Sequence, residues 1–338
     1  MTDGSRKAIF SAFFANLGIA IAKFAGFLIT GSASLLAETV HSVADTGNQA
    51  LLFLGGKRAK KEESQTHPFG YGRERYFWSF AVALVLFSMG GMFALYEGIQ
   101  KLRHPHEIEN LGVALTILVL AFILEGFSLR TAIKESAHVK GPRTSWWSFI
   151  RNTKQPELPV VLLEDIGAET GLIIAIGGVL MSEATGNPRW DAAGSTAIGI
   201  LLIIIAIILA IEMKSLLIGE AASEDVRDTI IESIENSDHV DQLIHIRTEH
   251  IGPDEILVGA KVEFSSALSA DQLVDAINTT EDTIRENVPS VTVIYLEPDL
   301  HRADHPDLVA KAADSPNATV TAGTTESPDT TAVVDSER

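Results

Sequence analysis

Apolar positions cluster in six stretches of the chain: residues 8–29, 33–56, 76–100, 111–133, 158–181 and 192–213. Each is long enough to cross a bilayer as a helix, which takes about 20 residues. Asn16 and Lys23 interrupt the first, and Thr30-Gly31-Ser32 predicts a tight turn before the second. The sixth, GSTAIGILLIIIAIILAIEM, is nearly pure hydrocarbon. That predicts a helix facing lipid more than any internal path. The segment 134–157 is polar and basic, and its adjacent Trp146 and Trp147 suit the headgroup region.

Beyond Glu220 the periodicity changes. Residues 224–237 have helical spacing with acids at the start. LIHIRTEHI and ILVGAKVEF read as two strands around a Gly-Pro-Asp turn. SADQLVDAINTTEDTIREN reads as a helix with Ser269 as N-cap, and VPSVTVIYLEP as a third strand. The expectation is an α-helical polytopic membrane protein with a C-terminal α+β domain of α-β-β-α-β order. The expected division is 1–218 for the six-span domain, 219–300 for the α+β domain and 301–338 for a tail. That tail is acidic and rich in Ser, Thr and Ala, with few aromatics, and reads as disordered.

Charge follows the same division. The net charge of −18 is carried by residues 219–338, with 7 Lys+Arg against 26 Asp+Glu; residues 1–218 hold 19 against 18. So acidic a soluble part argues against a nucleic-acid partner. Six basic residues lie between spans two and three (Lys57, Arg58, Lys60, Lys61, Arg73, Arg75), and five between spans four and five. The loops on the other side hold few. Basic short loops stay in the cytoplasm, which predicts that both termini are cytoplasmic. With no cysteine, disulfides and thiolate metal sites are excluded.

The candidate chemistry lies inside the apolar runs. Residues 31–49, GSASLLAETVHSVADTGNQ, place Glu38, His41, Asp45, Asn48 and Gln49 in the second span. An ionisable group at bilayer depth costs about 2.5–3.5 kcal/mol on insertion scales and usually marks a transport path. His41 and Asp45 are four apart, so they share a helix face and can grip one divalent cation. The fifth span carries Glu164, Asp165 and Glu169. Asp165 and Glu169 share a face, and Glu164 is about 100° away. Asp165 is the favoured partner, then Glu164, then Glu169. One imidazole with three oxygens suits Zn²⁺, and more carboxylates shift the preference toward Mn²⁺. Such ligands must lose protons to bind metal, so binding is coupled to protons. No GxxxxGK[ST] run exists to draw on ATP, and no HExxH motif or nucleophile–base set marks an enzyme.

Together, GSASLLAETVHSVADTGNQ, HPFGYGRER (67–75) and LLEDIGAETG (162–171) resemble the cation diffusion facilitator family of divalent-metal transporters. The fifth span is like the branch with a Glu-Asp pair. The resemblance implies that His41 and Asp45 form the span-two half of the transport site, in the form typical of zinc carriers. It also implies a homodimer, proton-coupled efflux from the cytosol, a ferredoxin-like cytoplasmic domain, and a charge contact between Arg73 and Glu220. Ser64, Tyr71, Lys261, Leu296 and Pro298 stand where auxiliary ligands would be expected, so neither a loop metal nor a C-terminal binuclear site is expected. The expected protein is a metal/proton antiporter in the plasma (cell inner) membrane. Zn²⁺ is its substrate, no cofactor is resident, and its partners are protons, lipid and a second copy. The alternative is a membrane sensor that binds divalent cations without flux. A reporter fused after residue 105 should read as non-cytoplasmic; a cytoplasmic signal there rules this topology out.

Overall fold

The computed structural model describes residues 3–105, 108 and 110–301, with side chains from residue 16 onward. The tail expected over 301–338 lies outside the described residues after His301. The apolar runs become long helices: α1 (Asp3–Thr30), α2 (Ala33–Arg58), α3 (Glu74–Val85), α4 (Phe93–Arg103), α5 (Leu111–Val139), α7 (Glu157–Thr185) and α8 (Arg189–Ile218). A π-helical segment, Leu86–Met92, joins α3 to α4, so the two make one continuous rod, Glu74–Arg103. The short α6 (Trp146–Asn152) sits in the basic segment with both tryptophan rings exposed. By length and composition alone, Glu74–Arg103, Leu111–Val139 and Arg189–Ile218 qualify as membrane-crossing helices among the described residues.

The helices pack around one apolar core that includes Leu35, Leu86, Leu118, Leu172, Ile198, Leu202 and Leu209. The sixth run has one side in the bundle and the larger share outside it, with 44% of its most apolar window buried. Helix α8 packs against α2, α3, α4 and α7. It buries Leu202, Ile205, Ala206, Leu209 and Met213 on one side and exposes Ile200, Ile204, Ile207 and Ile211 on the other. A uniform hydrocarbon helix has no polar face to show which side the bundle takes, so packing alone decides.

The start of α2 is tied to the start of α8. Asp191, 4% exposed, accepts from the Ser32 hydroxyl at 2.8 Å and from the backbone N–H groups of Ala33 and Ser34 at 2.6 and 3.3 Å. Ser32 itself caps α2 by accepting from the Leu35 N–H. The free N–H groups of a helix start, left bare in an apolar bundle, would each need a partner, and one carboxylate supplies it for two of them.

The C-terminal part follows as α9 (Glu224–Glu235), β1 (Val240–Gly252), β2 (Glu255–Phe264), α10 (Ala270–Asn287) and β3 (Val291–Pro298). The sheet order is β1-β2-β3, with β1 and β2 antiparallel and β2 and β3 parallel. Alternation along β2 buries Ile256, Val258, Ala260, Val262 and Phe264 in a second core with Ile230, Ile234 and Ile284. Ser269 and Gln272 form a capping box at the start of α10. His250 is buried near the end of β1, and burial lowers its pKa, so the ring stays neutral.

The two cores meet at the basic loop before α3. The Arg73–Glu220 contact is not formed: Arg73 pairs with Glu249 on β1, and Glu220 pairs with Lys154. Glu220 is occupied otherwise because its backbone runs beside β1, its carbonyl accepting from the His250 N–H at 2.8 Å. Arg75 bridges both parts, donating to Glu157 at the start of α7 (2.5 and 2.9 Å) and to Asp254 in the β1–β2 turn (3.0 Å). A side chain at Gly72 would collide with Gly252 and Ile251, so the loop and the turn touch backbone to backbone. Arg75→Ala removes the only one of these links that also touches α7. Hydrogen exchange at residues 252–254 should speed up at least about tenfold, with exchange inside β2 and β3 unchanged.

Candidate functional site

Three buried polar side chains form a stripe on α2. His41, Asp45 and Asn48 follow one another at i, i+4 and i+7, so they stack along one face. His41 and Asn48 are fully buried and Asp45 is 8% exposed. His41 Nδ1 lies 3.4 Å from Asp45 Oδ1. A side chain at Gly90, in the π-helical segment, would stand against the His41 imidazole. π-helical turns inside α-helices are frequent at functional sites.

Across from this stripe, α7 presents Glu164. Asn48 Nδ2 donates to Glu164 Oε1 at 2.5 Å, and Asp45 lies within interaction range of the same carboxyl. The residues one and two turns on from Glu164 are Ala168 and Gly171, both buried. Small residues there let α7 lie close against α2. Asp165 points elsewhere and accepts from Ser128 Oγ of α5 at 3.1 Å. Glu169 borders Gly126 of α5. Of the three acids in the fifth apolar run, Glu164 is the one turned to Asn48 and Asp45, while Asp165, first in the sequence-based order, faces α5. Neighbours on a helix point about 100° apart, so only one of the pair can face α2.

Several atoms of this set are buried without a hydrogen bond: both ring nitrogens of His41, Asp45 Oδ1 and Asn48 Oδ1, with only the 3.4 Å approach of His41 Nδ1 to Asp45 Oδ1 between them. Unpartnered polar atoms in an apolar interior are costly, and a divalent cation can take the free ring nitrogen, a carboxylate and an amide oxygen together. Among the described residues, no three His, Asp or Glu side chains are gathered tightly enough to hold an ion in this conformation. The site therefore stands as two facing halves, His41 with Asp45 and Asn48 with Glu164.

Asn48 was visible in the sequence as a polar residue of the second run but carried no assigned role. Its spacing of seven from His41 was the available signal. The partners of Lys23 were also not legible. It binds Glu38, Ser42 and Glu125.

With this geometry in view, comparison with known proteins identifies the family. A family model for the cation efflux transmembrane domain matches residues 9–218. The chain belongs to the cation efflux, or cation diffusion facilitator, family and is a multi-pass membrane protein. It is 33% identical over 245 residues to the proton-coupled zinc antiporter SLC30A9, mitochondrial, of Mus musculus, covering 72% of this chain and 43% of the relative. It is 32% identical to metal tolerance protein C4 of Arabidopsis thaliana, covering 78% and 58%. It is 25% identical to the cation-efflux pump FieF of Escherichia coli, covering 86% and 91%. The chain thus spans about half the length of the first two relatives. A solved nickel form of the MamM CTD covers 24% of this chain and all of its own length, at 15% identity and a TM-score of 0.22.

Asn48→Leu removes the amide's bond to Glu164 and leaves Asp45 as that carboxyl's remaining neighbour. The thermal midpoint measured in detergent should drop.

Proposed function

We propose that this protein exports a divalent metal, Zn²⁺ first, from the cytosol in exchange for protons. The observation that carries the proposal is the pair of half-sites, His41 with Asp45 and Asn48 with Glu164, buried in an apolar bundle with unpartnered ring nitrogens. One imidazole with two carboxylates and an amide oxygen suits a four-ligand Zn²⁺ cage. In this reading Glu164, beside Asp45 and Asn48, completes the cage; Asp165 and Glu169 line the α5 side.

The chemistry of exchange follows from the ligands. His41 must be neutral and Asp45 and Glu164 ionised to hold the ion. Protons arriving from the far side compete for the same atoms and release it. The free energy then comes from the proton gradient. The printed names of relatives, a proton-coupled zinc antiporter and a cation-efflux pump, support this reading.

The rest of the assembly is read in keeping with this. The chain makes six spans with both termini cytoplasmic, in the plasma (cell inner) membrane, and works as a homodimer. The α-β-β-α-β part belongs to the cytoplasmic side, and its division from the transport domain falls after Ile218. No resident cofactor enters the reading.

Proteoliposomes with an acidic lumen and a zinc dye inside test it. Wild type should accumulate Zn²⁺ faster as the gradient steepens. His41→Ala and Asp45→Ala should each cut the initial rate at least about tenfold, and Glu164→Gln should cut it more than Asp165→Asn. Undiminished flux in the His41 and Asp45 variants rules the site out. Saturable binding without accumulation would make the protein a metal sensor.

A further inference from the structure

Beside the half-sites lies a second polar cluster that the proposed exchange does not use. Lys23 of α1 is fully buried. Its ammonium is 3.0 Å from Glu38 Oε2, 2.8 Å from Ser42 Oγ and 3.5 Å from Glu125 Oε1. An ammonium has three N–H donors, and each meets an oxygen here, two from α2 and one from α5. Glu38 is fully buried and Glu125 7% exposed. Two carboxylates in such a place require a cation, and the chain supplies one of its own.

The cluster has more oxygen than the ammonium satisfies. Glu38 Oε1 is buried without a partner and points at the α7 backbone beside Gly171, where a Cβ would stand 2.5 Å from it. Glu169 Oε2, on the same helix, is likewise buried without a partner. The donors are all oxygen: two carboxylates and a hydroxyl, with no imidazole. That set suits harder divalent cations such as Mn²⁺, in contrast to the His41 half-site. Yet Glu38 precedes His41 by three residues, and Ser42 follows it by one, so the two clusters share α2.

We propose that Lys23 is a tethered counter-cation: its ammonium fills the cation position of a second, oxygen-only site made by Glu38, Ser42 and Glu125. It limits the chain to one divalent ion and keeps these carboxylates from becoming ligands of a hard cation. Lys23 is thus a specificity-determining residue that touches no transported ion. The inference rests on the reading of His41, Asp45 and Glu164 as the transport site only for the identity of the first ion.

The test counts metal per chain in full-length protein in lipid nanodiscs, equilibrated with Zn²⁺ and Mn²⁺ together and analysed after removal of free ions. Lys23→Met should hold one ion more than wild type, with the added ion Mn²⁺. The triple variant Lys23→Met, Glu38→Gln, Glu125→Gln should return to the wild-type count. An unchanged count in a monodisperse Lys23→Met protein overturns the proposal. Lys23→Gln is read in the same way and covers poor folding of the Met variant. If neither folds even when Mn²⁺ is present throughout extraction, the proposal also falls, because a vacant carboxylate site should accept that ion in place of the ammonium. A wild type that binds no ion would overturn the transport-site reading, whereas the gain on removing Lys23 bears on Lys23 alone.

Discussion

The dominant constraint on this structure is that no charge in its apolar bundle can stand unanswered. A single ionisable group at bilayer depth costs about 2.5–3.5 kcal/mol on insertion scales, and α2, α5 and α7 bring Glu38, Glu125, Asp45 and Glu164 into one region. Two different solutions appear side by side. Glu38 and Glu125 are answered permanently, by Lys23. Asp45 and Glu164 are answered only in part, by His41 and Asn48, with acceptor and ring atoms left over. The Lys23 cluster carries a cation of its own, although Glu38 Oε1 stays without a hydrogen bond; the set of Asp45 and Glu164 carries none, and that is the contrast between the two.

The two helices that carry the half-sites are each fastened at one end, and at opposite ends. Helix α2 is held at its start by Asp191 of α8. Helix α7 is held at its start by Arg75, which also grips the β1–β2 turn. The chain runs antiparallel through these two helices, so the anchors lie on opposite sides of the bundle. His41, Asp45 and Glu164 lie between them. A tilt of α7 about its anchored start would open or close the gap to α2. The small face at Ala168 and Gly171 offers little side-chain bulk to resist that movement. The soluble part is tied to the same end of α7, so its position bears on the site through Arg75.

Much of this was legible from residue order. The long apolar runs predicted α1, α2, the Glu74–Arg103 rod, α5, α7 and α8 because a stretch of about 20 apolar residues has few other stable fates. The period-2 alternation of ILVGAKVEF predicted β2, and Ser269 marked the start of α10. HPFGYGRER and the HxxxD spacing pointed to the family that the cation efflux match then showed. The half-site on α2 was readable because i, i+4 neighbours must share a helix face whatever the tertiary structure.

What sequence order could not supply was any relation between helices. Glu164 and Asp165 are adjacent, equally acidic and about 100° apart; only the packing of α7 against α2 and α5 decides which meets Asn48 and Asp45. The same holds for Lys23, whose partners lie 15, 19 and 102 positions away and were set by how α1 meets α2 and α5. It holds for α8 too, where uniform hydrocarbon gives no hint of a buried side. Residue order thus determined which groups sit within the apolar bundle and which of them share a helix face, since both follow from local hydrophobicity and helical periodicity. Tertiary structure decided which charge meets which, because that depends on the rotation of each helix about its own axis.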